Sequence, residues 1–281
     1  MANSTSKVLP GFNPWDPVSR TKGPLGQNDA AAPFCSILGD TPSSLGVNDH
    51  AAPDMPLVLF KSGIVQWILE RGKDLTKNCE GNMGTPYWPK GASGITIGYG
   101  YDMKERTDIE VTNHLTASGV ADDLAGLLSL GAKKSSGSSP TAQKFLVSEV
   151  VLRGAKMLFN KLEIDQPARD RLFEIVYEVY DQDVERICTK DDVSKKYGTT
   201  DWQSLHPAIK AVLIDLRFRG DYHTESRQYV QKSVAKNSPK DFAAALKVFL
   251  NDHEHVYDKG IAKRFEKRIN FVEQYGSITI D

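Results

Sequence analysis

Apolar residues at Val58, Leu59, Ile64, Val65, Ile68 and Leu69 fall close to a helical period and predict a first helix that starts near Pro56 and stops near Gly72. Residues 75–92 then bring together Gly81, Gly84, Pro86, Pro89 and Gly91, a density of chain breakers that reads as a long loop. Gly94–Tyr101, GITIGYGY, sets β-branched and aromatic residues between glycines, as a short strand or tight hairpin would. From there the period is helical, over Thr107–Ser118, Ala121–Leu130, Pro140–Asn160, Pro167–Cys188, Pro207–Phe218, Thr224–Lys236, Pro239–Asn251 and Tyr257–Gln274. Several of these stretches open on Pro, Ser, Thr or Asp, as helix starts prefer. Lys133–Ser139, KKSSGSS, separates two of them as a flexible loop. The fold class expected is α+β and mainly helical, a small β element followed by a large helical lobe.

Residues 1–55 differ from the rest. They are rich in Pro, Gly, Ser, Asn and Asp without a sustained helical period, and read as an irregular or extended segment ahead of a domain over residues 56–281. The segment contains a repeat, LGQNDAAAP at 25–33 and LGVNDHAAP at 45–53. It is either a linker with two Asn-Asp turns or a pair of docking elements for a partner or for the protein's own catalytic domain.

Balanced charge, with 35 Lys and Arg against 36 Asp and Glu, removes any global field for nucleic acid or anionic lipid, and neither is expected as a partner. Cys35, Cys79 and Cys188 are odd in number and widely spaced, and suggest neither a disulfide framework nor a zinc site. The opening MANSTSKVLPGFNPWDP has no apolar run of secretory-leader length, and nothing later approaches a membrane span. Synthesis in the cytoplasm is expected.

The most informative stretch is Cys79–Met103, CEGNMGTPYWPKGASGITIGYGYDM, in which Glu80-Gly81 precedes Thr96-Ile97-Gly98 by 16 residues. This order and spacing resembles the lysozymes of tailed phages and, more closely, the pesticin-like muramidases. The resemblance implies that Glu80 is the general acid and that Thr96 orients the attacking water. Phage lysozymes place a catalytic Asp six residues before the Thr, where this chain has Lys90, which cannot act as a base. The pesticin-like pattern places it six residues after the Thr, at Asp102. More faintly, the likeness extends over residues 58–275, through Leu205–Gly220 and the closing Gly260, Arg264 and Arg268. It implies a lysozyme-like fold and cleavage of the β-1,4 bond between N-acetylmuramic acid and N-acetylglucosamine in peptidoglycan glycan strands, without metal or organic cofactor.

The chemistry has its own requirements. Glycoside hydrolysis needs one carboxylic acid that holds a proton for the leaving oxygen and a second carboxylate that activates water. For Glu80 and Asp102 to be that pair, Glu80 needs partial burial or a neighbouring negative charge, and Asp102 a wetter, hydrogen-bonded setting. In a straight strand Thr96 and Asp102 would stand roughly 20 Å apart, so sharing a water requires the chain to reverse around Gly98-Tyr99-Gly100. Carboxyl groups about 6.5–9.5 Å apart would indicate inversion, the outcome favoured here, and about 5 Å retention.

Tyr87, Trp88, Tyr99, Tyr101, Arg217 and Arg264 are the candidate substrate-binding residues. Tyr87 and Trp88 suit stacking on sugar rings, and the arginines suit the carboxylates of stem peptides or lactyl groups. Each residue also has a plainer explanation. Glu80 suits a surface acid at a helix end, Thr96 a strand former, and Asp102 the N-cap of a helix starting at Met103. The arginines suit solvated helix faces. Glu70 and Asp74 read as the polar end of the first helix, Trp67 and Trp202 as core, and Asp252–His255 as a solvated loop rather than a metal site.

A periplasmic substrate and a chain without a leader call for signal-independent export, through a holin or through an injection device such as a type VI secretion system. The repeat-bearing extension favours injection, with a spike or adaptor engaging residues 1–55 and an immunity protein plugging the cleft in the producing cell. The rivals are a phage-derived endolysin, a lytic transglycosylase, and a module that binds cell wall without cutting it.

Overall fold

The computed structural model describes residues 61–89, 93–134, 141–152 and 162–280. The repeat-bearing segment, the start of the first predicted helix, Lys90 and most of the KKSSGSS loop lie outside the described residues.

Helix α1 spans Lys61–Lys77 and runs straight through Gly72, where the sequence predicts an end. The glycine is there for packing. A Cβ at Gly72 would overlap the Cβ of Ala211 on α7 (Pro207–Arg219), so its absence lets two helices cross closely. Two backbone turns then extend α1, Cys79 N–H donating to Thr76 O at 3.0 Å and Glu80 N–H to Lys77 O at 3.3 Å, and deliver Glu80 at the helix end.

The stretch read as a loop contains a strand, β1 (Met83–Tyr87). Its MGTPY sequence carries a Gly and a Pro that weaken any strand reading, and its pairing is irregular, with the register shifting between Met83↔Gly98 and Tyr87↔Thr96. β2 (Thr96–Gly98) and β3 (Tyr101–Asp102) form a tight antiparallel hairpin, giving a three-stranded sheet in the order β1-β2-β3. The chain reverses where the two glycines stand, Gly98 at φ +61° and Gly100 at φ +74°.

Helices follow: α2 (Asp108–Ala117), α3 (Asp122–Leu128) with a 3₁₀ turn at Ser129–Gly131, α4 (Ala142–Leu152), α5 (Gln166–Cys188), α6 (Asp191–Tyr197), α7, α8 (Thr224–Ala235), α9 (Pro239–Asp252) and α10 (Lys259–Tyr275). α2 begins at a capping box between Thr107 and Glu110 rather than at Met103, so Asp102 is not its N-cap. α6 is absent from the sequence-based prediction because seven residues are too few to show a period. No helix among the described residues is long and apolar enough to cross a membrane.

Two cores form. α7 is buried along nearly its whole length and anchors the larger one, with Ile68 of α1, Phe242 and Phe249 of α9, and Phe265 of α10 around it. The smaller core lies under the sheet, where Ile95, Ile97, Tyr101 and Met103 meet α2, α3 and Leu172 and Val176 of α5. Phe173, Tyr177 and Ile214, flanked by Tyr99 and Phe218, bridge the two at the α5–α7 contact. The end of α1 and the turn of the hairpin meet along this seam. Trp202 is core and Trp67 packs edge-on against Tyr275, as their apolar surroundings in sequence suggest.

Candidate active site

Glu80 reaches the hairpin directly. Its Oε2 lies 2.9 Å from where a Cβ on Gly100 would stand, and only 16% of its side chain meets solvent. Arg264 of α10 donates from Nη1 to Glu80 Oε1 at 2.6 Å. Burial raises the Glu80 carboxyl above its ordinary value against the pull of Arg264, and the charge of Asp215 adds to the rise.

On the sheet, Thr96 stands opposite Asp102 across the β2–β3 pair and opposite Tyr87 across the β1–β2 pair. Directly opposed residues share a face at Cα separations of roughly 5 Å, so the reversal that a shared water requires is present. Asp102 is held by two backbone amides: Lys104 N–H donates to Oδ1 at 2.8 Å, and Gly94 N–H lies 3.1 Å from Oδ1 and 3.2 Å from Oδ2. Thr96, 2% exposed, donates its hydroxyl to Gly94 O at 3.2 Å and so keeps its oxygen free to accept. Tyr87 joins the two carboxyl groups electrostatically. Burial first, and then the charges of Glu80 and of Asp102, push its phenol well above the ordinary range.

The other aromatic candidates are distributed unevenly. The Tyr99 hydroxyl accepts from Gln166 Nε2 at 2.9 Å and Asn82 Nδ2 at 3.1 Å and donates to Asp170 at 3.2 Å, with Lys77 over its ring. This polar cluster stands at the hairpin tip. Trp88 packs against Phe145 beside the smaller core. Tyr101 is turned away from Thr96 into that core, its hydroxyl 3.0 Å from His114 Nδ1 and Arg106 over its ring, so it has no surface to offer a sugar.

The arginines face inward. Arg217 is buried and paired with Asp183 at 2.6 Å, and Arg264 is committed to Glu80 and Asp215 rather than to a cleft. Sequence reasoning missed what they build. Arg264 grips Asp215 of α7 through Nη2 (2.6 Å) and Nε (3.2 Å), and Arg268 grips the same carboxylate through Nε at 2.5 Å while donating to Asp221 at 2.7 Å. Arg219 closes the series on Asp221. Three acids and three arginines therefore alternate from Glu80 to Arg219. The helical spacing of Arg264 and Arg268, four residues apart on the same face, was the available signal.

Glu70 and Asp74 pair with Lys73 and Arg71 along α1. His253 bonds Phe249 O and Glu225, and no cluster of three or more His, Cys, Asp or Glu among the described residues is arranged to hold a metal.

The fold and site together define a mainly helical α+β protein that brings a buried glutamic acid to the turn of a β-hairpin. Residues 75–269 match a family described as a domain of unknown function, DUF8812, and the chain belongs to that family. The matched stretch runs from the end of α1 into α10 and contains Glu80, the hairpin and the whole acid–arginine series. No curated protein matches the chain.

Proposed function

We propose that this protein is a muramidase with a lysozyme-like fold, hydrolysing the β-1,4 bond between N-acetylmuramic acid and N-acetylglucosamine. The observation that carries this reading is a largely buried glutamic acid of raised proton affinity, set against a hairpin that aligns Tyr87, Thr96 and Asp102 on one face. Glu80 donates its proton to the glycosidic oxygen as the bond to the anomeric carbon breaks. A water, donating one hydrogen to Asp102 and the other to the Thr96 oxygen, attacks that carbon from the opposite side. Asp102 takes the water's proton and exchange with solvent restores both groups.

Delivery belongs to the same proposal: the repeat-bearing extension suits a docking segment for an injection device that reaches a target periplasm, with an immunity protein for the producer. Mass spectrometry of digested sacculi tests the activity. Wild-type protein should release fragments with reducing N-acetylmuramic acid ends, and Glu80→Gln should release none while keeping its circular dichroism. No fragments from folded wild type would overturn the reading, and 1,6-anhydro ends would reassign the protein as a lytic transglycosylase.

A further inference from the structure

Asp215 takes part in no step of that reaction, yet it is wholly buried and both its carboxylate oxygens are held by arginines of α10. Such a cluster is a poor device for stability alone, because desolvating the charges offsets their attraction and apolar replacements are often neutral or better. What distinguishes this one is that Glu80 forms its end.

We infer that Asp215 is a positioning residue for the acid: by gripping Arg264 through two nitrogens it divides that cation between two carboxylates and leaves Glu80 able to carry the proton that cleavage consumes. The purpose rests on the muramidase reading; the clamp itself does not. The groups that face Glu80 are Arg264 from α10, Asp215 and Arg219 from α7, and Tyr87 from β1. Burial and Asp215 favour the neutral acid, whereas Arg264 and Arg219 oppose it. Asp215 resolves the other way. Against the push of burial, Arg264 and Arg268 hold its carboxyl well below the usual range, so it stays anionic and keeps its share of Arg264. Arg268 is in turn held by Asp221, whose carboxyl is also kept low, chiefly by Arg268 against the push of burial. Two acids on one arginine thus take opposite protonation preferences, the division of labour that acid catalysis needs.

A carbon-detected NMR titration of Glu80 in resting full-length protein tests this without substrate. Asp215→Asn removes a negative charge and releases Arg264 to Glu80, so the Glu80 midpoint should fall by about one unit or more, and the alkaline limb of kcat/KM should fall with it. Asp221→Asn, at the rim of the series with a side chain 8% exposed, keeps both residues of the fork but frees Arg268 to draw on Asp215 and so loosens Asp215's hold on Arg264; it covers the case in which Asp215→Asn does not fold. It should shift the midpoint in the same direction by about half a unit. An unchanged or raised Glu80 midpoint in folded variants overturns the inference, even if activity is lost, because a merely structural Asp215 would lower activity without moving a titration. Midpoints that fall while wild type releases no glycan fragments would support the clamp and sink the muramidase reading alone.

Discussion

Glu80 packs tightly on Gly100: the acid's Oε2 lies 2.9 Å from where a Cβ on the glycine would be. Gly98, two residues earlier, shares the left-handed backbone but has nothing closer than 3.8 Å to the same imaginary atom. Alanine at either position should therefore cost a similar backbone strain, about 1–2 kcal/mol. Gly100→Ala alone should also nudge the carboxyl aside, and because catalysis is sensitive to sub-ångström placement its activity should fall by roughly 10-fold relative to Gly98→Ala. Urea unfolding and sacculus turbidity, measured on both variants, separate the effects. Equal activities in the two would show that Gly100 serves the turn and not the acid.

The α1–α7 crossing aims the helix that ends at Glu80. Gly72→Ala introduces a methyl where the Ala211 methyl already sits, and overpacking of this kind costs about 1–3 kcal/mol. Ala211→Gly in the same chain should restore part of that loss by reopening the contact, less the price of a glycine inside α7, about 1 kcal/mol. Thermal melts of the two single variants and the double variant give the coupling. Strict additivity would mean that the helices do not meet there.

How much of this was legible in the sequence depended on whether the signal was local. The hairpin reversal was readable because a shared water demanded it and two glycines stood where positive φ was needed. The long helices were readable from period and capping residues. Gly72 misled because a helix-packing glycine and a helix-ending glycine look alike until the neighbour, 139 positions away at Ala211, is known. Strand β1 was hidden by its Gly and Pro, and is held by pairing to β2 rather than by its own propensity. Arg264 and Arg217 read as cleft or solvated-face cations because their partners Glu80, Asp215 and Asp183 come from other helices or their ends. Tyr101 looked like Tyr99, yet alternation along the strand sends one to the core and the turn leaves the other outside.

Acid should affect activity and stability through different groups. Glu80 has a raised folded-state pKa, so its contribution to stability is complete below the ordinary value of 4.5 and is lost as pH rises through the folded value. Glu80→Gln cannot ionise, so its melting temperature should equal or exceed that of wild type at pH 7, with the difference closing towards pH 4.5. Asp215 and Asp221 have depressed values; their contribution is present above 3.8 and is lost as pH falls through the folded values. Acid unfolding should thus begin below about pH 3.8 in both proteins. Activity needs protonated Glu80 and should fall on the alkaline side. Calorimetry from pH 3 to 8 checks the stabilities, and a Glu80→Gln protein that melts well below wild type at pH 7 would contradict the raised affinity.

Asp102 separates hydrolysis from its nearest chemical rival. Its carboxylate is fixed by the Gly94 and Lys104 amides on one side, and Gly94 is itself confined, since a Cβ there would lie 2.5 Å from Lys104 Cβ and 3.0 Å from Asp102 Oδ1. Asp102→Asn can keep one oxygen on those amides, so the fold should lose only about 1 kcal/mol. As a base, however, the amide is useless, and hydrolysis should drop by about 100-fold or more. A transglycosylase closes its product with the substrate's own hydroxyl and needs no activated water, so the same substitution would leave it largely active with anhydro ends. Gly94→Ala should mimic the hydrolytic loss while leaving both carboxyl groups in the chain, because the new methyl crowds Asp102 Oδ1 and displaces the amide on which it rests. If Asp102→Asn is crippled while Gly94→Ala keeps full activity, the carboxylate works without its backbone cradle, and the site's rigidity must come from the Thr96 pairing instead.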